Sequence, residues 1–356
     1  FEYRVPHRQQ DGYDVKRKIV DEAIERNASL IMTVDCGIVA FDAANYAREK
    51  GIDMIITDHH MPALDGRLPN AIAVVNPNRL DNTYPFPGLA GVGIAFKVMS
   101  ALAVSRGLKI KKVVDAVLEY VAMGTVADVA PMYGENRSLV KLGCARLAET
   151  EKPGVAALLK VAGIKTGSKV DTTSIGFFIG PRINAIGRLA DAGTALDLLL
   201  ETSDTRAKFL ANALENANAR RQELQAQTVE EALTFVKDLD EKARFVVVSA
   251  KGWEKGLVGL VAGKLAEHTA RPTLCLTVLS NGFAVGSGRS TRHFDLLACL
   301  KSDDVKHLWA WRDGVWQCGL SADGEEFIAA KMDGNETVEV MTASAVNSDA
   351  WEKIAL

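Results

Sequence analysis

Thr57-Asp58-His59-His60 closes one short apolar run, and Thr33-Val34-Asp35-Cys36-Gly37 closes the run before it. Each stretch stops on an acid, and the second acid is followed by two histidines. Acids and imidazole gathered at the carboxyl ends of neighbouring parallel strands would hold a hard cation, at the place where open α/β sheets keep their ligands. Asp128, in Gly124-Thr-Val-Ala-Asp128-Val-Ala-Pro131, follows a segment that reads as a helix and is the third acid of the set. Carboxylates with imidazole suit Mn2+ or Mg2+ better than zinc, whose sites favour thiolates and several histidines. Two such ions about 4 Å apart can activate water and stabilise the leaving oxygen in phosphoester cleavage. Asp35, Asp58, His59, His60 and Asp128 are therefore the candidate catalytic residues. Three acids and one histidine are too few to hold two ions, so further ligands are expected. Taken singly, each Asp could equally cap a helix or sit in a turn.

Other segments could grip a phosphate. Gly286-Ser287-Gly288-Arg289-Ser290 follows an apolar run; its glycines could form an anion nest, with Arg289 and two hydroxyls as donors, or it could be a plain tight turn. Gly180-Pro-Arg182-Ile-Asn184-Ala-Ile-Gly187-Arg188 places two arginines and an Asn in a glycine-broken segment, which fits a phosphate-backbone contact or a charged surface loop. Gly88-Leu-Ala-Gly91-Val-Gly93 has the look of a dinucleotide fingerprint but follows Pro87 instead of a strand, so it reads as the turn leading into a helix. Trp253 could stack a base or simply pack.

The elements that must position these residues follow from the pattern. Residues 29–34, 53–57 and 72–75 are short apolar runs of the kind that form strands buried on both faces. Phe41 to Lys50, stopped by Gly51, reads as a helix, so strand, helix and strand make a right-handed parallel βαβ unit. Residues 88–105 and Lys111 to Met123 read as further helices. From Thr194 to Lys251 there is neither Gly nor Pro, and Ser203-Asp204 can cap a helix of about 35 residues, roughly 50 Å long. Such a helix suits a connector between domains, though two shorter helices with a kink would also fit. A second α/β unit starts at Arg244-Phe-Val-Val-Val248, continues through a helix from Gly256 to Ala270, and has strands at Thr273 to Val278 and Phe283 to Val285. Thr337 to Met341 alternates like one more strand.

The chain has 356 residues, 48% hydrophobic and 24% charged, enough for two or three domains with real cores. No apolar run reaches the roughly 18 residues of a membrane helix. Cys36, Cys144, Cys275, Cys299 and Cys318 are scattered and form no CxxC pair, which points to reduced thiols and a cytoplasmic setting. A net charge of −3 neither favours nor excludes nucleic acid, because a local basic patch can supply the footprint. A chain opening on Phe1 reads as a fragment or a processed product.

Thr33-Val-Asp-Cys-Gly-Ile38, Thr57-Asp-His-His60, Gly124 to Pro131 and Gly286-Ser-Gly-Arg-Ser290 together resemble the motifs of the DHH phosphoesterases that carry a DHHA1 domain. Asn76-Pro-Asn-Arg79, Leu89-Ala-Gly-Val-Gly93, Ile179 to Leu189 and Gly256 to Ala262 extend the resemblance to the RecJ family of single-strand-specific exonucleases within that superfamily. The resemblance implies an α/β fold, with a parallel-sheet DHH domain over residues 1–195 joined by a linker helix (196–240) to a smaller α/β DHHA1 domain (241–332), and the start of an OB-like domain over 333–356. It implies Mn2+ or Mg2+ on Asp35, His59 and Asp128, with Asp58 and His60 supporting the ligands or contacting the scissile phosphate. It implies that Arg182, Asn184, Arg188, Ser287, Gly288, Arg289 and Ser290 hold single-stranded DNA and its 5′ end. The expected activity is two-metal 5′→3′ cleavage of single-stranded DNA, in repair and recombination, with a single-strand-binding protein or helicase as partner. Two departures accompany the resemblance. The family's first motif, two aspartates separated by one residue, would precede Tyr3, so the chain is expected to be impaired until such residues are restored. The family's Gly-Gly-His is also missing near Leu308 to Leu320. Two further readings are a small-molecule phosphodiesterase of the same superfamily and a non-catalytic DNA-binding scaffold.

Overall fold

The computed structural model describes residues 1–6, 15–63, 65–189, 191–237, 245–279, 284–292, 294 and 296, together with the backbone of four strands beyond residue 307. The chain divides into two compact units, Phe1–Asn218 and Ala219–Leu356.

The first unit runs α1 (Arg17–Glu25), β1 (Leu30–Val34), α2 (Phe41–Glu49), β2 (Asp53–Thr57), β3 (Ala73–Val75), α3 (Gly91–Ser105), α4 (Ile110–Ala127), α5 (Gly134–Ala148), α6 (Pro153–Val161), a π-helix (Ser174–Ile179), α7 (Gly180–Leu189) and α8 (Gly193–Leu200). The three strands pair in the order β1-β2-β3, all parallel, as the apolar runs predict. Val34 stands opposite Thr57, and Thr57 opposite Val75, so the carboxyl ends of all three strands finish level. Met54 and Ile56 of β2 are buried against Val20 of α1 and the small face Ala43, Ala44 and Ala47 of α2. A face of alanines lets α2 lie close to the sheet. A second core gathers α4, α5, α6, α8 and the start of the next helix, with Leu147, Leu158, Ile175, Ile179, Leu198 and Leu214 fully buried.

Helix α9 (Asp204–Lys237) is one helix and not two, as befits a stretch with no Gly or Pro to kink it. The second unit then forms β4 (Val246–Lys251), α10 (Val258–Thr269), β5 (Thr273–Val278) and β6 (Ala284–Arg289). β4 is parallel to β5, and β6 runs antiparallel to it. Here the structure differs from the sequence reading: Gly286, Ser287, Gly288 and Arg289 are not a turn after a strand but the strand itself, paired with Leu276, Cys275, Leu274 and Thr273. A Cβ at Gly286 would lie 2.1 Å from the Cys275 carbonyl oxygen, so the glycine serves strand packing and not an anion nest. Farther on, β7 (Leu308–Ala310), β8 (Trp316–Leu320), β9 (Glu326–Asp333) and β10 (Glu336–Ser344) make an antiparallel sheet in the order β10-β9-β8-β7. The strand expected at Thr337 to Met341 lies within β10, and the expected boundary at 332/333 falls inside the β9–β10 hairpin. Residues 311–315, where most of the expected Gly-Gly-His region falls, lie outside the described residues.

Cys275 is enclosed in the core of the second unit, and burial pushes its thiol up to about 12. Such a thiol is ionised to roughly one part in ten thousand at pH 8, and the thiolate is the reactive form. Iodoacetamide at pH 8 is therefore expected to leave Cys275 unmodified in the native chain and to label it in urea, read by peptide mass spectrometry. Labelling at equal rates in both conditions would contradict the burial of β5.

Candidate metal centre

The level strand ends fix where the chemistry lies. The Asp35 N–H donates to Thr57 O at 2.9 Å and the Asp58 N–H to Val75 O at 3.0 Å, so each acid sits one step past its strand while still in the ladder. Asp35 then takes a left-handed backbone, φ +67°, which Asp tolerates better than most residues and which turns the chain out of the sheet. Thr33 Oγ1 donates to Cys36 O at 2.7 Å and Thr57 Oγ1 to Thr33 O at 2.8 Å, pinning this corner.

Asp58 is buried and its carboxylate is fully engaged. Oδ2 accepts from the Ile38 N–H at 2.9 Å; Oδ1 accepts from the His59 N–H at 2.7 Å, the His60 N–H at 3.2 Å and His60 Nδ1 at 2.7 Å. Its place is behind the site, orienting both histidines. A carboxylate can only accept, so His60 carries its proton on Nδ1 and presents a lone pair at Nε2. From the other side, Asn76 Nδ2 donates to His60 O at 2.9 Å and Asn78 Nδ2 donates to His59 O. These two amides were not read as site residues from sequence; Asn-Pro-Asn directly after the third parallel strand was the available signal.

His59 Nε2 lies 3.1 Å from Asp35 Oδ1 and 3.6 Å from Asp128 Oδ2. Asp128 arrives from a helix end: α4 runs on to Ala127, four residues beyond the expected Met123, and Asp128 caps it. Asn136, buried on α5, donates to both Gly88 O and Pro131 O and so ties the loop before α3 to the loop after Asp128. One ligand atom each from Asp35, His59 and His60 lies within 4.8 Å of the others. Asp128 is absent from that tighter group, yet its Oδ2 is close to His59.

These residues fit a cation. The buried Nε2 of His59 finds no hydrogen-bond partner of acceptable geometry, despite two carboxylates beside it. Contact with Asp35, and then the charge of Asp128, holds the His59 pKa above the usual imidazole range against the burial that lowers it. Burial pushes the Asp128 carboxyl up; His59 pulls it down and the Asp35 charge raises it again. Oxygen and imidazole donors without thiolate are the ligand set of Mn2+ or Mg2+.

Residues 1–125 match the family model for the DHH family, N-terminal domain. The chain is 38% identical over 302 residues to the single-stranded-DNA-specific exonuclease RecJ of Bacillus subtilis, covering 84% of this chain and 37% of that protein. It is 36% identical to the RecJ of Escherichia coli, covering 92% of this chain and 59% of that one. A crystal structure of exonuclease RecJ bound to manganese superposes with a TM-score of 0.70 at 34% identity, over 86% of this chain and 74% of that one. The chain belongs to the RecJ family. The RecJ of Thermus thermophilus in complex with Mn2+ gives a TM-score of 0.69 at 32% identity, over 83% of this chain and 43% of that one. The chain thus spans less than two thirds of the length of the Bacillus and Escherichia RecJ proteins it matches.

The other sequence candidates in this RecJ-family chain fall in two places. In the first unit, the segment read as a glycine-broken loop is helix α7, which follows directly on the π-helix; Pro181 is tolerated there because a first-turn residue needs no N–H. Arg182 is largely buried, and its guanidinium is held by Glu215 and by Phe178 O at 2.6 Å. Asn184 is exposed on α7 and Arg188 is half-buried in its last turn. In the second unit, Arg289 Nη1 donates to Ser287 Oγ at 3.0 Å and to Gly288 O at 2.8 Å, while Ser290 Oγ accepts from the Leu296 N–H at 2.9 Å. Gly259 of α10 leaves room for this pair, since a Cβ there would lie 3.1 Å from Ser287 Oγ and 3.2 Å from Arg289 Nη2. Trp253 is a packing residue: it is buried, its Nε1 donates to Glu231 Oε2 at 2.9 Å, and Phe235 lies beside it. No helix among the described residues is long and apolar enough to cross a membrane.

Proposed function

We propose that this chain binds Mn2+ or Mg2+ through Asp35, His59 and Asp128 and serves metal-dependent 5′→3′ hydrolysis of single-stranded DNA. The observation that carries this reading is the buried Nε2 of His59, which makes no well-formed hydrogen bond although the Asp35 and Asp128 carboxylates lie 3.1 and 3.6 Å away. The RecJ proteins of Bacillus subtilis and Escherichia coli are described as single-stranded-DNA-specific exonucleases, and solved RecJ structures hold manganese. When bound, divalent ions supply charge to the phosphodiester and acidify a water. The chain's own part is to hold the ligands: Asp58 fixes the His60 imidazole and the His59 N–H, and Asn76 and Asn78 fix the carbonyls of His60 and His59. Among the described residues, Asp35, His59, His60 and Asp128 offer fewer ligands than two ions take, so two-ion cleavage calls for further ligands. Asn184, Arg188, Ser287, Gly288, Arg289 and Ser290 contact the DNA backbone and its 5′ end; Arg182 joins them only by giving up Glu215. Repair and recombination, and a single-strand-binding protein or helicase as partner, follow from the family resemblance; a cytoplasmic setting follows from the scattered cysteines.

The test needs no turnover. Calorimetric Mn2+ titration of the chain and of Asp35→Ala is paired with binding of a 5′-phosphorylated single strand, competed by 5′-hydroxyl DNA, duplex DNA and a cyclic dinucleotide. We expect Mn2+ binding that Asp35→Ala removes, and preference for the phosphorylated single strand. Absence of Mn2+ binding, or preference for the dinucleotide, would overturn the reading.

A further inference from the structure

Asp35 reaches the cluster across the first residue of a helix that contributes no ligand. A Cβ built on Gly91, where α3 begins, would lie 2.1 Å from Asp35 Oδ1, 2.3 Å from its Cγ and 2.6 Å from its Cβ. Real Cβ atoms do not approach so closely. Rotation about χ1 could swing the carboxylate aside but would leave the Cβ–Cβ clash, so the backbone of one partner must move as well. Asp35 has little freedom to do so, because its N–H is held by Thr57 O and its φ is +67°. Gly91 is itself buried, and Ile94 N–H donates to Ala90 O at the start of the same helix.

We propose that Gly91 is a positioning residue of the metal centre: the missing side chain is the space in which the Asp35 carboxylate stands beside His59. Asp35 and Gly91 lie far apart in sequence and act as one steric pair. The neighbouring Gly93 is different, since a Cβ there would meet only Leu89, its nearest methyl at 3.2 Å. Outer partners that orient a metal ligand commonly change metal affinity 10- to 100-fold, and displacing the ligand by about 1 Å belongs at the upper end of that range. The binding part of this inference rests on the metal reading above; the steric part does not.

The experiment uses Gly91→Ala, Gly93→Ala, Asp35→Gly and the double variant Asp35→Gly/Gly91→Ala. Glycine suits the left-handed backbone at 35, so Asp35→Gly relieves the clash without straining the chain. Calorimetry with Mn2+ should show Gly91→Ala weakened about 100-fold and Gly93→Ala close to the parent. Thermal unfolding without metal should show Gly91→Ala lowering the midpoint in the parent but not in the Asp35→Gly background, the coupling that a double-mutant cycle isolates. A Gly91→Ala chain that keeps parental Mn2+ affinity, or a destabilisation that persists unchanged without the Asp35 side chain, would overturn the proposal. If the parent itself binds no Mn2+, the metal reading fails while the metal-free cycle still decides the steric pairing.

Discussion

Asp58→Asn is expected to lose Mn2+ binding and about 3–5 kcal/mol of stability together. The carboxylate is 1% exposed and accepts from four donors, three at Oδ1 and one at Oδ2. An amide oxygen can replace Oδ1, but its NH2 then faces the Ile38 N–H, a donor against a donor. Flipping the amide moves the same conflict to His59 and His60. A buried donor left unsatisfied costs about 1–3 kcal/mol, and lost charge-assisted bonds add to it. Against a typical domain stability of about 5–15 kcal/mol this is a large share. In the flipped orientation the His60 Nδ1–H and the His59 N–H lose their acceptor, so the ligands lose their common focus. Urea unfolding followed by circular dichroism reads the first effect, and Mn2+ calorimetry under folding conditions reads the second. A variant that unfolds like the parent and binds Mn2+ within threefold would show that Asp58 orients nothing.

The strand ends were legible because each acid terminates an apolar run, and parallel pairing then makes sequence ends into spatial neighbours. Asp35, Asp58 and His59 needed only that local pattern, and Asp128 needed only the end of a helix. What the pattern missed came from packing between distant segments. Gly180-Pro181 looks like a break, yet it opens α7 directly after the π-helix. Gly286 to Arg289 looks like a turn, yet pairing with β5 draws it into a strand. Trp253 stands in a polar run and is buried all the same, because Glu231 of α9 satisfies its indole N–H. The room that Gly91 makes for Asp35 is invisible in either segment alone. A helical glycine ordinarily costs about 1 kcal/mol relative to Ala, so glycines at helix starts merit a search for what stands in the missing side chain's place.

The same logic gives the largest expected loss away from the metal centre. At Gly154, in the first turn of α6, a Cβ would lie 1.7 Å from the carbonyl oxygen of Leu198 at the end of α8. That obstacle is backbone, so no rotamer relieves it. The Leu198 carbonyl also accepts from the Glu201 N–H at 3.2 Å, and pushing it aside weakens that cap. Separating the helices opens the core that Val155, Leu158, Leu159, Ala195 and Leu198 share. Two terms oppose each other in Gly154→Ala. Helix propensity favours Ala by at most about 1 kcal/mol, and less in a first turn. Overpacking commonly costs about 1–3 kcal/mol and more where backbone must move. The clash is severe enough that overpacking wins, with a net loss of about 2–4 kcal/mol. The urea midpoint should fall with little change in slope. Mn2+ affinity measured well below that midpoint should stay at the parental value, because β1, β2 and the end of α4 carry the ligands. A midpoint equal to or above the parent's would mean that propensity decides, and that α6 and α8 do not approach as closely as described.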